Sequence, residues 1–296
     1  MIAYLYLFIA LVAGLVKGLS GKKISRDVVS LNDGFAVNVI RSVFCAGIGF
    51  LVLVIQVGFS GLALSPEALL VCTASSIFMA LFCISWLYAY KTEAYAFLNI
   101  FTMLGSVITA VLGWSIFGDE ISVTRIIGFV LLFVAVYIMS LYNKNLKGKM
   151  DKRAIITLIL GCVGVALSDF MQKVFVKNNL GTPSAFTFYT YALMIVPQLL
   201  VLMLFKVKKT TPLSANVCDK RHIFIYLIIS IALYLNVIMK TMAVKDIPST
   251  QLYPTLQGAN LIASSLLASI LFKEKMTIKS FVGISLALAA SILMNL

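Results

Sequence analysis

The sequence predicts an all-α, polytopic membrane protein: ten transmembrane helices arranged as two inverted five-helix repeats. Three observations carry this class. Apolar residues make up 61% of the 296-residue chain and charged residues only 12%, against roughly 45–50% and about 25% in soluble domains. A soluble fold of this size would need more core than its surface could cover. The apolar residues also fall into long runs nearly free of charge, each close to the ~20 residues a helix needs to cross ~30 Å of hydrocarbon. A membrane β-barrel would show alternating segments of ~10 residues instead, and these runs do not alternate. Finally, FGDEISVTRIIG at Phe117–Gly128 is echoed 155 residues later by FKEKMTIKSFVG at Phe272–Gly283, with Phe and Gly identical and five further positions conservative. Each copy closes one apolar span and opens the next. A repeat of this kind in a membrane protein points to two related halves around a shared site.

The spans follow in chain order. The first, about 2–20, has no basic segment ahead of its apolar stretch and no clear small-residue cleavage site after it, so it reads as a transmembrane helix rather than a signal peptide. The second, 36–57, opens beside Asn38 and Arg41. The third, 67–89, closes on Trp86, Tyr88 and, just beyond, Tyr90, aromatics suited to a membrane interface. The fourth and fifth, 94–117 and 123–142, flank the first acidic knot. The polar stretch Asn143–Lys152 then divides the chain into repeats 1–147 and 148–296. The sixth span, 153–176, carries Asp169 and Lys173. The seventh, 184–205, carries Tyr189, Tyr191, Pro197 and Gln198, and the eighth, 222–243, carries Tyr234, Asn236 and Lys240. The ninth, 248–272, contains Pro254, and the tenth is 278–295.

Charge sets a topology. The net charge of +13 is spread over separate loops, which argues against a nucleic-acid surface. Segments 21–35, 90–93, 143–152, 206–221 and 273–277 share one side of a ten-span chain. All but five of the 24 Lys and Arg lie on that side, the exceptions being Arg125, Lys173, Lys177, Lys240 and Lys245. The positive-inside rule makes that side cytoplasmic and puts both termini outside. Five spans per half also place Asp119 and Glu274 on opposite faces.

Polar groups inside the spans are costly to bury and are site candidates by default. Asp169 lies well inside span six, with Lys173 one turn on and on the same face. The pair reads either as a proton or substrate site, or as a neutralised pair whose lysine reaches toward the interface. Lys17 is the repeat counterpart of the Gln172–Lys173 region, near the end of span one. Arg41 reads as a loop-edge anchor or a site residue. Asn99 in span four aligns with Pro254 in span nine, and Tyr95, Asn99, Thr102 and Ser106 share one helical face, matched by Thr250, Pro254, Gln257, Gly258 and Leu261. Pro254 has no N–H to give and should free the carbonyl of Thr250. Loosened backbone of this kind is tolerated where protein or a water-filled cavity satisfies it. Ordinary packing by small and amide residues is the competing reading.

These features resemble the drug/metabolite transporter superfamily, most closely its EamA-like ten-helix branch. The resemblance rests on ten spans in two inverted halves and on Phe117-Gly-Asp-Glu-Ile-Ser and Phe272-Lys-Glu-Lys-Met-Thr, each followed by a helix with Gly128 or Gly283 in its first turns. Arg41 resembles an arginine often placed there in the family. The resemblance covers the whole chain and implies secondary transport of small metabolites through a central cavity lined by spans one, three, four, six, eight and nine. Pro254 and the two acidic knots carry over residue by residue. The knots look structural, as turns whose anions favour the dipole of the following helix. Many family members are described with cytoplasmic termini, so orientation stays open.

The expected function is secondary active transport of a small polar metabolite across the cell membrane by alternating access, proton-coupled or by exchange. Candidate substrate-binding residues are Lys17, Tyr88, Tyr95, Asn99, Asp169, Lys173, Asn236, Tyr253 and Gln257. Asp169 is the candidate proton-coupling group and Pro254 the candidate hinge. A flippase for a lipid-linked sugar or similar amphiphile is the alternative on the same scaffold. An enzyme is not expected: His222 is the lone histidine, Cys45, Cys72, Cys83, Cys162 and Cys218 show no metal-ligand spacing, and there is no P-loop or G-x-S-x-G. No cofactor, metal or nucleic acid is expected. The expected partners are a small-molecule metabolite, membrane lipid, and protons or an exchanged solute, with the chain acting as monomer or homodimer.

Overall fold

The computed structural model describes residues 2–25, 30–91, 95–142, 152–207, 217, 219–272 and 278–295. Among them are ten α-helices: α1 (Ile2–Ser25), α2 (Leu31–Val57), α3 (Pro66–Lys91), α4 (Tyr95–Phe117), α5 (Val123–Tyr142), α6 (Lys152–Lys177), α7 (Pro183–Val207), α8 (Lys220–Ala243), α9 (Ser249–Phe272) and α10 (Ile278–Asn295). Each expected span is a helix, with ends that differ where local chemistry outruns hydropathy. Helix α2 begins at Leu31, ahead of its apolar stretch, because Ser30 caps it. The Ser30 Oγ accepts the Asp33 N–H at 3.1 Å, and the Asp33 carboxylate accepts the Ser30 N–H at 2.9 Å, the reciprocal capping box. Helix α1 runs on to Ser25, past the last apolar turn. A short 3-10 turn at Phe59–Leu62, not anticipated, links α2 to α3.

Among the described residues, stretches long and apolar enough to cross a membrane lie in α1, α2, α3, α6, α7 and α8, and shorter apolar stretches in α4, α5 and α10. Helix α9 carries Thr250, Thr255, Gln257, Asn260 and Ser264 along an otherwise apolar sequence. Large apolar side chains cover the outside, including Phe8 (61% exposed), Ile55 (82%) and Ile278 (84%). Exposed apolar surface on this scale is lipid-facing surface, since water would not tolerate it.

Packing is reciprocal. The most extensive contacts join α3 with α6, α5 with α10, α1 with α8, α2 with α7 and α4 with α9. Exchanging α1–α5 for α6–α10 maps this set onto itself. The crossed pairs α4 with α6 and α1 with α9 obey the same exchange, as do α3 with α7 and α2 with α8. The main contacts therefore run between the halves rather than within them. One apolar core joins Met103, Val107 and Ala110 of α4 and Leu132 of α5 to Leu261 of α9 and Ala287, Ala290 and Met294 of α10. A second draws on α2, α3, α6, α7 and α8. Close approach of α6 to α3 depends on Gly164, where a Cβ would stand 2.8 Å from the Phe78 carbonyl oxygen. Without a hydrophobic drive between helices in lipid, such small-residue contacts supply much of the association.

Candidate functional site

A cavity of about 50 Å³ lies in the middle of the bundle. It is lined from α1 (Gly14, Leu15, Lys17, Gly18), α3 (Met79, Phe82), α4 (Thr102), α6 (Val165), α8 (Leu233, Asn236, Val237, Lys240) and α9 (Gln257, Asn260, Ser264). These are the six helices expected to surround a central site. The polar lining comes from residues that hydropathy tolerates inside otherwise apolar helices. The Asn236 Nδ2 donates to the Ala10 carbonyl at 2.7 Å, fixing the amide of α8 against α1. The Lys17 ammonium stands 5.8 Å over the Phe82 ring. The Oδ1 of Asn260 is buried with no hydrogen-bond partner.

Behind one wall of the cavity, a buried polar layer joins α6, α8 and α9. Asp169 pairs with Lys240 at 2.5 Å, both side chains almost fully buried. The Tyr253 hydroxyl is within donating distance of the Asp169 carbonyl, 2.8 Å, and of Gln172 Oε1, 3.1 Å. The Gln172 Nε2 donates to Thr241 Oγ1 at 2.6 Å and to the Val237 carbonyl at 3.1 Å. Each buried group in this layer has a partner, as burial in low dielectric demands.

A second polar cluster lies beyond it, where the α4–α5 connection meets the start of α9. Lys173 pairs with the Asp119 carboxylate and donates to Ser249 Oγ at 2.9 Å. Asp119 also accepts the Ser249 hydroxyl, and the Ser249 backbone N–H at 3.0 Å. The Phe117 ring lies 5.3 Å below the Lys173 ammonium. Gly113 makes room for the cluster, since a Cβ there would fall 2.9 Å from the Asp119 carboxylate and 3.2 Å from Lys173 Nζ. Alongside, the Arg125 guanidinium donates to the Glu120 carbonyl at 2.5 Å and to Thr250 Oγ1 at 3.1 Å, and Thr250 donates to the same carbonyl at 3.2 Å. Burial by itself would raise the Asp119 carboxyl pKa, but hydrogen bonds from Lys173 and Ser249 outweigh it and hold it below the usual carboxylate value.

Two sequence expectations change here. Asp169 does not pair with Lys173, although the two are one turn apart on α6. Each finds its partner across the fold, Asp169 in Lys240 and Lys173 in Asp119. Local helix spacing permits a pair, but tertiary geometry offers each charge a closer opposite. Nor does Asp119 serve the helix that follows it in sequence. It accepts the first N–H of α9, so the favourable anion at a helix N-terminus is provided across the repeat.

Of the expected site residues, Lys17, Asn236 and Gln257 line the cavity. Asp169 and Tyr253 lie in the packed layer behind it, and Lys173 in the more distant cluster. Pro254 is buried inside α9. The side chains of Tyr88, Tyr95 and Asn99, like Glu274 as a whole, lie outside the described residues. Arg41 is buried at the start of α2, donating to Asn38 Oδ1 at 3.3 Å. Sequence reasoning offered Lys240 as a partner for an anionic solute but left it out of the candidate binding set. An ionisable residue inside a span was the available signal, but it sits in the last turn of α8 and reads as an interfacial lysine. Asn260 was marked in the sequence, lying with Gln257 and Gly258 just beyond Pro254, whereas Phe82 and Met79 carry no mark separating them from packing residues.

Residues 152–296 match the EamA-like transporter family. The second half of the chain belongs to that family, part of the drug/metabolite transporter superfamily. The protein is thus a multi-pass membrane protein of a transporter family, as the doubled Phe-x-acid knot suggested. No curated protein matches it in sequence. Its fold is shared with a solved protein crystal structure at a TM-score of 0.72, over 99% of this chain and 96% of the other, with 12% sequence identity.

Proposed function

We propose that this EamA-like protein is a secondary active carrier of a small polar metabolite at the cell membrane, and not an enzyme. Two inverted repeats, residues 1–147 and 148–296, would rock about the central cavity to expose it to each side in turn. The observation that carries this reading is the cavity itself, built by six helices drawn from both halves and lined by Lys17, Asn236, Lys240 and Gln257. Reciprocal helix packing supports the two-repeat rocking. The cluster of Asp119, Lys173 and Ser249 closes one end of the bundle and must part when the cavity opens there. Pro254, which deprives α9 of one backbone hydrogen bond beside the cavity, is the hinge in this scheme.

Asp169 is the coupling group. Protonating it would break its ion pair with Lys240 and leave a cation beside the cavity. Breaking one partner of a buried pair costs about 3–5 kcal/mol, enough to tie occupancy to protonation. Uptake into sealed vesicles across a metabolite panel, with and without an imposed pH gradient, tests both ideas. The carrier reading requires saturable uptake of at least one metabolite. Asp169→Asn should abolish the response to the gradient while solute exchange persists. Gradient-driven uptake that is unchanged in Asp169→Asn removes the proton role, and no uptake of any metabolite removes the carrier.

A further inference from the structure

We infer that the cavity binds a small organic anion carrying one carboxylate, and that Lys17 is the residue that holds it. This inference rests on the carrier reading and names its substrate class. The argument is one of charge balance. Among the described residues two lysines line the cavity, Lys17 and Lys240, and no Asp or Glu does. Lys240 is already neutralised by Asp169 behind the wall. Asp169 is therefore spoken for, its carboxylate held by the Lys240 ammonium and its backbone carbonyl within reach of the Tyr253 hydroxyl. Among the described lining residues a cationic solute would meet two ammonium groups and no available carboxylate.

Lys17 is different. Among the described residues no carboxylate lies within ion-pair distance of it. Its neighbours are an aromatic face, the Phe82 ring 5.8 Å from the ammonium, and Lys240, a charge of its own sign in the same cavity lining. An ammonium so placed inside a membrane span is costly without a counter-charge, and one negative charge from a ligand would balance the cavity. Gln257 and Asn260 supply amides for the polar remainder of the solute. The unpartnered Oδ1 of Asn260 is an acceptor awaiting a hydroxyl or amine. Met79 and Phe82 offer a small apolar wall. On the same measure one water needs roughly 10–15 Å³, so about 50 Å³ suits a ligand of a few heavy atoms.

The test uses the full chain in detergent and a fixed panel of probes: linear, hydroxy- and keto-carboxylates of two to five carbons, each beside its neutral amide, with choline as the cation. At least one carboxylate should raise the melting temperature saturably by several degrees, while its amide and choline do not. Lys17→Gln should remove that shift, Lys17→Arg should keep it, and the exposed Lys245→Gln should leave it unchanged. If Lys17→Gln folds poorly, Lys17→Arg in parallel with the amide comparison still decides the charge requirement. No shift from any carboxylate, an equal shift from the amides, stabilisation by choline, or a shift that survives Lys17→Gln would overturn the inference. Vesicle uptake separates this from the carrier reading. A carboxylate that binds through Lys17 but is never taken up fails the carrier and leaves the anion site. Uptake of a cation or neutral solute, indifferent to Lys17→Gln, keeps the carrier and fails the anion site.

Discussion

At the scale of residues, the two acids of the interior do different work because of where their partners come from. Asp119 is tied to Lys173 and to the start of α9, and its carboxyl is held below the usual value by those hydrogen bonds against the effect of burial. Its folded pKa thus lies below its unfolded one, near ~4. The stabilisation it brings is complete above about pH 4 and is lost as pH falls through the folded value. Lys173→Ala should lower stability by about 3 kcal/mol at neutral pH, because it strands a buried carboxylate. Asp119→Asn should flatten the acid limb of a thermal-stability profile taken from pH 7 downward. A wild-type acid limb in Asp119→Asn would show that other groups govern it. That Asp169, Lys17 and Lys173 are charges inside the spans, and so candidates, was legible from the cost of burying charge. Their pairings were not, because Asp169 and Lys240 are 71 residues apart and Lys173 and Asp119 are 54 apart, and no local spacing encodes such contacts.

At the scale of elements, hydropathy located all ten helices because membrane spans obey a length rule that soluble helices do not. It missed the early start of α2, which a capping box decides, and the 3-10 turn after it. It also could not say which way each helix faces. Helix α9 is the informative case: its Thr, Gln, Asn and Ser residues read as either packing or lining, and the structure places Gln257, Asn260 and Ser264 on the cavity. Pro254 sits one turn before them. Pro254→Ala restores an N–H to the Thr250 carbonyl, so the variant should be at least as stable as the parent. If Pro254 is the hinge, the same variant should transport at least tenfold more slowly in sealed vesicles, an exchange of activity for stability. Unchanged transport in a stabilised Pro254→Ala would remove the hinge role.

At the scale of the whole molecule, the halves are bound to each other more than to themselves. Helices α1 and α8, α3 and α6, and α4 and α9 form the walls of the cavity, and each pair spans the two halves. A five-helix half therefore has little core of its own, and relative motion of the halves must remodel the walls of the site. The Phe-x-acid knots pointed to two related halves, but not to what the first knot touches. The first knot proves to be a fastening that grips the opposite half through Ser249, Thr250 and Lys173. Opening the bundle at that end requires its release. The direct measurement is vesicle uptake by a chain free of native cysteines that carries Glu120→Cys and Thr250→Cys, joined by a short cleavable thiol cross-linker. Bridging should reduce uptake at least tenfold, and cleaving the bridge should restore it. Uptake that continues at the unbridged rate with the cross-link fully formed would contradict alternating access through this end of the molecule.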